Sequence, residues 1–424
     1  MMSSGKAAEL VNSHCLEHIM ALSDRQEIVA CEDILDESGR KLWAQGQKVS
    51  RSLQEKLQRH KLARPLEAAL TVEGGIVSDQ VVSACLDLIA KNPLLQRVAG
   101  SVAARGLLTE FRDTPLPGPF KLLLTSARES DLASYQHGLH CVAITAGIAA
   151  RLNVGDSTVQ QLLLAALIHD IGELYIDPDY LRSNCRLAPA EWKQVAVHPH
   201  IGRMLVRELT TLSALIGDAV AEHHERLDGS GYPAQKASAG ISRFGRVIGV
   251  ADTCAAVIMR NAPDSADRLI VATKIVPEEF DHAVVDAVVR PLQSAGVVQA
   301  TRSEDSLERI RAIAERLEQS LRVAESLAAN EASRIAADVG AYVLAALKVL
   351  SKALSATGAV EALRLDEIKG DDGILAELAL VAREVDWRLR NLARNIHLRI
   401  HLNHDGKDLP LVLPLVETLD SQSR

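Results

Sequence analysis

The segment from Leu162 to Ile168 is almost continuously apolar, and His169, Asp170 and Gly172 follow it. A run without a polar face predicts a helix that is buried on most sides, so other helices must surround it. Aromatic residues make up only 3% of the chain and hydrophobic residues 47%. The core must therefore be built from Leu, Ala, Val and Ile, which suits packed helices. We expect a mainly α fold with a helical bundle at its centre.

The chain divides by pattern into three predicted domains. Residues 1–70 form a small N-terminal α+β module, with a hairpin turn at Asp36–Gly39 and a short helix over Ser52–Leu62. Residues 71–300 are helical and include a long helix from about Ser126 to Leu152. Residues 301–424 form a C-terminal helical region. A three-four alternation of apolar residues starting at Leu307 is compatible with a bundle packed on its neighbour or with a coiled-coil dimerisation helix.

Composition limits the partners and the compartment. The net charge of −8 and the absence of a basic stripe argue against polymeric nucleic acid as a ligand. The six cysteines are scattered without a C-x-x-C pair, which predicts free thiols in a reducing compartment. No apolar run approaches the roughly 20 residues of a membrane span, and no leader pattern opens the chain. We therefore predict a cytoplasmic protein without a membrane partner.

Histidines are concentrated in the central region. Seven of the 14 histidines lie between His137 and His224, and several of them are at predicted helix ends beside carboxylates. Asp252 lies in the middle of an apolar helix, where a carboxylate is costly unless it is paired or bound to metal. Neutral imidazoles and carboxylates are ligands of divalent transition metals. The remaining histidines, including His140 and His200, are interpreted as structural.

The candidate metal ligands are too many for one tetrahedral ion. They are His137, His169, Asp170, His198, His223, His224 and Asp252. This set suits two octahedral metals that share Asp170, and a mixture of histidine and carboxylate favours iron or manganese. Two such cations activate a water molecule for attack on phosphorus, so the predicted chemistry is phosphoester hydrolysis.

The His169-Asp170 pair, followed by the run HHERLDGSGYP from His223 to Pro233, resembles the HD-GYP branch of the HD-domain metal phosphohydrolases. The resemblance covers about Ser126 to Arg260, roughly a third of the chain. It implies a helical bundle with two or three metals that linearises cyclic di-GMP to pGpG, GMP or both.

Carried over by position, the resemblance implies which residues hold each metal. His137, His169, Asp170 and Asp252 would hold one metal, and Asp170, His198, His223 and His224 would hold the other. It also implies that the loop containing Gly229, Gly231, Tyr232 and Pro233 borders the site and serves as a docking surface for signalling proteins. The expected substrate-binding residues are Arg186, Asp228, Gly229, Gly231, Tyr232, Pro233 and Arg260, and the expected catalytic residues are Asp170 and Glu173.

Several positions depart from the pattern of the family. Ala133 replaces a glutamate that recruits a third metal, which favours two metals. Glu173 replaces a lysine near the substrate phosphate; it should weaken phosphate binding, although its carboxyl group could act on a proton. The basic segment expected at 183–186 retains only Arg186, and after Asp252 the only nearby cation is Arg260.

Two functions from different classes follow from this mixture. The first is an active two-metal phosphodiesterase acting on cyclic di-GMP or a related nucleotide. The second is a weakly active or inactive signalling module that binds proteins or nucleotide through its GYP loop and flanking helices. The complete set of metal ligands favours the enzyme. A homodimer through the C-terminal helices is compatible with both functions.

Overall fold

The computed structural model describes residues 11–57, 59–182, 187–262, 264–293, 306–356, 372–403 and 408–421. The chain forms two compact units. Unit 1 contains Met1–His223 and Ser242–Ala255, and unit 2 contains His224–Ile241 and Ala256–Arg424. The fold is mainly α, as predicted. The division into domains 1–70, 71–300 and 301–424 stays a prediction.

The first part of unit 1 combines helices with two short antiparallel sheets. It contains α1 (Ser13–Ser23), β1 (Ile28–Ala30), β2 (Ile34–Leu35), β3 (Lys41–Trp43), α2 (Arg51–Leu57) and β4 (Leu70–Val72). The predicted hairpin is present: β2 pairs with β3, and Gly39 N donates to Asp36 O at the turn. The second sheet pairs Ile28 with Val72, a partner that local sequence patterns do not reveal. Helix α2 is shorter than the predicted helix.

The rest of unit 1 is a helical bundle. Its helices are α3 (Ser78–Lys91), α4 (Pro93–Ala99), α5 (Val102–Phe111), α6 (Gly118–Ser130), α7 (Leu132–Arg151), α8 (Asp156–Ile168), α9 (Pro178–Leu181), α10 (Pro189–Ala196), α11 (His198–Leu209), α12 (Ala214–Glu222) and α13 (Arg243–Ile258). The last residues of α13, from Ala256 onward, belong to unit 2. A 3₁₀ helix over Ile171–Tyr175 follows α8. Leu163, Ala165 and Ile168 of α8 are fully buried, as their apolar run predicts.

Two predicted boundaries in this bundle were wrong. The expected long helix from Ser126 is divided into α6 and α7, because the Asp131 side chain accepts from the backbone N–H groups of Ala133 and Ser134 and caps α7. Serine is a favoured N-cap residue, which predicts that α8 begins after Ser157, but the helix begins at Asp156 and its N-cap is Gly155. Both corrections concern capping, which decides where a helix begins independently of its apolar pattern.

The helices of unit 2 enclose a core of their own. They are α14 (Ser265–Lys274), α15 (His282–Gln293), α16 (Ser306–Ala328), α17 (Arg334–Ala356), α18 (Asp372–Asn403) and α19 (Leu409–Asp420). Ile310, Leu317 and Ala324 of the predicted seam are buried in this core. The seam therefore packs inside a bundle of its own chain, and dimerisation through these helices stays a prediction.

Among the described residues, α17 is the one helix long and apolar enough to span a membrane by length and composition. Its residues Val339, Val343, Leu347 and Leu350 are buried in the core of unit 2. These apolar side chains are therefore covered by neighbouring helices, as they are in the core helix of a bundle.

Candidate metal centre

Three histidines of unit 1 share one local geometry at helix ends. The ring nitrogen Nδ1 of His169 is 2.8 Å from the carbonyl oxygen of Ala166, three residues earlier in the chain. His198 and His223 repeat this contact with the carbonyls of the residues three before them, at 2.8 and 2.7 Å. Because a carbonyl oxygen only accepts, Nδ1 carries the proton, and neutral imidazole then presents a lone pair at Nε2.

These lone pairs converge on Asp170. Its Oδ1 atom is 3.4 Å from Nε2 of His198 and 3.2 Å from Nε2 of His223, and the two Nε2 atoms are 3.3 Å apart. Asp170 Oδ1 is buried, and among the described residues no hydrogen bond reaches it. Acceptors turned toward each other in a buried site are costly unless a proton or a cation lies between them. The residues therefore fit a metal ion.

A second group of ligand atoms lies on the other side of the Asp170 carboxylate. Asp170 Oδ2 is 2.9 Å from Nε2 of His169 and 3.8 Å from Nε2 of His137. His137 Nε2 is also 2.9 Å from Oδ1 of Asp252, which explains how a carboxylate is accommodated in the middle of α13. A shared carboxylate with one oxygen toward each group is the arrangement expected of a bridging ligand.

Cys141 belongs to this second group and was missed by the sequence analysis. Its sulfur is 3.6 Å from Nε2 of His137 and 4.0 Å from Nε2 of His169. The ligand atoms of Cys141, His137, His169 and Asp252 all lie within 4.8 Å of one another. The only signal in the sequence was the spacing of four residues from His137, which places both side chains on one face of α7.

His224 is the first residue of unit 2, directly after His223. Its ring stacks on Tyr232 of the same unit, with ring centroids 4.6 Å apart and an interplanar angle of 29°. Its role as a metal ligand stays a prediction. His140 donates from Nδ1 to the carbonyl of Gln136, and His200 is exposed on α11.

The electrostatics of the centre reflect the close approach of imidazoles and anions. Burial alone would raise the pKa of Asp170, but the positive charge of the neighbouring His169 holds it well below its usual value. Burial lowers the pKa of His223, partly offset by Asp170, so its neutral form is favoured. Burial opposes a thiolate at Cys141, but His137 and His169 lower its pKa. The anionic ligands are thus stabilised by positive charge at this position.

A cavity of about 300 Å³ in unit 1 opens beside the centre. His169, Asp170 and Glu173 lie in its wall, and Arg182 adds a cation. Ser134 donates to Oε2 of Glu173 at 3.2 Å. Burial and the nearby Asp170 raise the pKa of Glu173 to about 7. The cavity therefore contains a carboxyl group beside the metal ligands, at the position where the sequence resemblance expected a lysine.

The loop His224–Ile241 in unit 2 contains the GYP run. A Cβ atom on Gly231 would lie 2.4 Å from the backbone N of Arg226, and Gly229 has a φ of +78°, so both positions require glycine. The Glu225 carboxylate accepts from the backbone N–H groups of Ala234 and Lys236, at 2.7 and 2.9 Å. The loop is thus held in shape by its own contacts.

Helix α18 of the same unit also holds this loop. Asn395 donates to the carbonyl of Ser230 at 2.5 Å, and Arg399 Nε donates to Gln235 Oε1 at 2.9 Å. These contacts join positions more than 160 residues apart. The GYP loop is therefore packed against the C-terminal helices that accompany it.

The predicted substrate-binding residues that the structure describes all lie in unit 2. Asp228, Gly229, Gly231, Tyr232 and Pro233 lie in the loop of unit 2, where the Asp228 carboxylate accepts from Ser230 N and Oγ. Arg260 is exposed in unit 2. Arg186 lies outside the described residues. Arg182, which the sequence analysis did not single out, is the cation in the cavity wall, and it pairs with Asp179 at 3.0 Å.

Comparison with known families and proteins identifies the central region. Residues 122–289 match the family described as HD domain. The chain is 33% identical over 155 residues to the cyclic di-GMP phosphodiesterase PA4108 of Pseudomonas aeruginosa, covering 36% of this chain and 37% of that protein. It is also 33% identical to 3'3'-cGAMP-specific phosphodiesterase 3 of Vibrio cholerae, covering 35% and 32%. The chain thus spans about a third of the length of these relatives.

Two further matches have lower identity. The cyclic di-GMP phosphodiesterase response regulator RpfG of Xanthomonas campestris is 29% identical over 34% of this chain and 39% of its own length. Among solved structures, Bd1817, an HDG"Y"P protein from Bdellovibrio bacteriovorus, is similar over 63% of this chain and 94% of that one. Its TM-score is 0.34 and its identity 12%.

Proposed function

Because the chain belongs to the HD-GYP family of HD-domain metal-dependent phosphohydrolases, we propose that it hydrolyses cyclic di-GMP with two divalent metal ions. The products are linear pGpG, GMP or both. The observation that carries the proposal is the convergence of the His198 and His223 Nε2 atoms on the buried, unbonded Oδ1 of Asp170. Such a cluster of lone pairs has little use in a protein core without a cation.

The proposed ligand sets follow the two sides of Asp170. His137, His169, Asp170 and Asp252 hold one ion, and Asp170, His198, His223 and His224 hold the other. Iron or manganese suits these histidine and carboxylate ligands. When bound, the pair of ions supplies an activated water and charge stabilisation at phosphorus.

The residues of the cavity have separate proposed roles. Asp170 positions both ions, because its two oxygens face different groups of imidazoles. Glu173 holds a proton beside the reacting phosphate, with its Oε2 oriented by Ser134. Arg182 supplies a cation to the phosphate from the cavity wall. Arg186, Arg260, Asp228 and the GYP residues Gly229, Gly231, Tyr232 and Pro233 stay proposed substrate contacts.

The second candidate is a signalling module in which the loop binds a protein partner. The observation that favours it is the position of Glu173 in the cavity wall, where an anion opposes the binding of phosphate. The support of the loop by Asn395 and Arg399 gives it a firm surface for such a partner. A homodimer through the C-terminal helices is compatible with either function.

The test measures the metal content of anaerobically purified protein together with turnover of cyclic di-GMP, with iron or manganese supplied. We expect about two metals per chain and formation of pGpG or GMP. Asp170→Ala should lower turnover by at least about a hundredfold, since changes that merely disturb metal ligands already have effects of this size. The matched control is His200→Ala, which removes an exposed imidazole from α11 and should leave turnover unchanged.

The other outcomes separate the candidates. Bound metal without turnover of cyclic di-GMP or 3'3'-cGAMP would favour the signalling module. Protein that binds no metal under these conditions would contradict both the enzyme and the assignment of the ligands.

A further inference from the structure

We propose, as an extension of the proposed function, that Cys141 is a thiolate ligand of the metal held by His137, His169, Asp252 and the shared Asp170. This ligand makes the subsite selective for Zn²⁺ or a similarly soft divalent ion over Mn²⁺ and Mg²⁺. The second subsite has imidazole and carboxylate ligands only. The two metals would then differ in identity, rather than both being iron or manganese.

The distances support coordination. Zn–S bonds are about 2.3 Å and Zn–N bonds about 2.0–2.1 Å, so sulfur and nitrogen ligands at the tetrahedral angle are about 3.6 Å apart. The Cys141 sulfur is 3.6 Å from Nε2 of His137 and 4.0 Å from Nε2 of His169. Cys141 is fully buried on α7, one helical turn after His137. Its sulfur is therefore directed at the same point as the imidazole of that turn.

The charge of the subsite also fits. A thiolate at Cys141 and the Asp252 carboxylate together carry two negative charges, which one divalent ion neutralises in a buried position, while the charge of the Asp170 carboxylate is shared with the second ion. The histidines then contribute neutral nitrogen ligands. Soft thiolate ligands favour zinc over manganese or magnesium, which prefer oxygen.

The other described cysteines contact different kinds of atoms. The sulfurs of Cys15, Cys31 and Cys85 donate to oxygen atoms of Glu67, Ala68 and Leu139, respectively. Cys254 is fully buried on α13, but it follows Asp252 by two residues and so points roughly 200° away around that helix. Cys254 is therefore a matched control: it is a buried thiol near Cys141 and Asp252, but its sulfur is not one of the four ligand atoms that lie within 4.8 Å of one another.

The test is a titration of metal-free full-length protein with Co²⁺, a spectroscopic substitute for Zn²⁺, in buffer without added thiols. We expect a thiolate-to-cobalt charge-transfer band in the near ultraviolet that saturates at about one equivalent, since one subsite contains sulfur. The band should be lost in Cys141→Ala and Cys141→Ser and retained in Cys254→Ala. Circular dichroism establishes that each variant is folded.

X-ray absorption of the zinc-loaded wild-type protein tests the ligand without any substitution. A sulfur scatterer at about 2.3 Å supports the proposal, and a shell of nitrogen and oxygen alone overturns it. Bound Co²⁺ without the band, or a band that persists in Cys141→Ala, overturns the thiolate ligand and leaves the two-metal phosphodiesterase in place. Failure of the wild-type protein to bind Co²⁺ or Zn²⁺ overturns both.

Discussion

Unit 1 and unit 2 each bury a cluster of ionisable side chains, but the two clusters are satisfied in different ways. In unit 2, Arg388 donates to Glu279 at 2.7 Å, to Glu384 at 3.2 Å and to the carbonyl of Ala272 at 2.8 Å. Donors there meet acceptors. In unit 1, by contrast, Asp170 Oδ1 faces the Nε2 atoms of His198 and His223. Because Nδ1 of each ring carries the proton, these Nε2 atoms are acceptors as well, and among the described residues no donor lies between them and the carboxylate oxygen.

The difference indicates what each cluster is for. A network whose donors and acceptors match is complete within the protein and holds helices together, here α14 and α18 with the segment at Glu279. The cluster around Asp170 in unit 1, which we call the open cluster, has lone pairs that face inward, and it is complete only with a cation. Relief of the unfavourable contacts between these lone pairs contributes to the free energy of binding that cation. Both clusters bury charge, so burial does not distinguish a metal site from a structural network. The match between donors and acceptors does.

The largest effect on stability is expected from a substitution in the Arg388 network of unit 2, which we call the closed network because its donors and acceptors pair with one another. Arg388→Met removes the cation that donates to both Glu279 and Glu384. Arg226, at 3.7 Å from Glu279, and Arg268, at 3.2 Å from Glu384, replace it only in part. The free energy of unfolding should therefore fall by about 3 kcal/mol. Urea denaturation measures this loss. The control is Arg290→Met, which removes an exposed partner of Asp286 and should leave the free energy of unfolding close to that of the wild type. Equal losses in both variants would contradict the structural role of the network.

Metal should stabilise only the open cluster. At a free metal concentration of about a hundred times the dissociation constant, each occupied site stabilises the folded state by about 2.7 kcal/mol. Hydrogen exchange should then slow at the ends of α8 and α12, which carry His169 and His223. Asp170→Ala should abolish this protection. Protection by metal that survives in Asp170→Ala would show that the ion binds elsewhere.

The sequence predicted most of the helices and the location of the histidines because both depend on local patterns. An apolar run is enough to predict α8, and histidine at a helix end is visible beside a glycine or proline. The break at Asp131 was also readable in principle, since aspartate is a common N-cap residue. It was overlooked because the apolar pattern continues through α6 and α7.

Other features depend on contacts between distant parts of the chain. The pairing of Ile28 with Val72 and the bond from Asn395 to Ser230 leave no local trace in the sequence. Cys141 lies on an apolar helix face, where a thiol is ordinarily a small core residue. Only the fold shows that the imidazoles of His137 and His169 surround it.

Tyr175, Glu67 and Cys15 form a second cluster in unit 1 whose donors and acceptors are matched, and its contribution to stability should depend on pH. The Tyr175 hydroxyl donates to Oε1 of Glu67 at 2.6 Å, and Cys15 donates to the same oxygen at 3.4 Å. Burial, Cys15 and Glu67 together raise the pKa of Tyr175 well above its ordinary value. Tyr175→Phe should lower the free energy of unfolding by about 1.5–3 kcal/mol near neutral pH, the usual contribution of a hydrogen bond to a charged group.

The sign of the pH dependence follows from the raised pKa of Tyr175. The phenol is protonated in both folded and unfolded states below about pH 10, so its contribution is fully present there. Above that pH the unfolded state ionises first, and the contribution is lost as the pH rises toward the folded pKa. The difference in the free energy of unfolding between wild type and Tyr175→Phe should therefore shrink above pH 10. A difference that grows with pH would contradict the pairing of donors and acceptors in this cluster.

The smallest effect concerns how closely the backbone positions the open cluster. A Cβ atom on Gly172 would lie 2.1 Å from the carbonyl oxygen of His198, so Gly172→Ala must push the 3₁₀ helix away from α11. A shift of this kind displaces His198 relative to Asp170 and should weaken metal binding by about tenfold to a hundredfold. Gly155→Ala is the matched control, because a Cβ there meets no atom within 4 Å. Calorimetric titration with Mn²⁺ measures both variants. Since the Arg388 network contains its own partners, Gly172→Ala should leave that network intact. Equal metal affinities in the two glycine variants would show that the open cluster tolerates a displacement of His198 relative to Asp170.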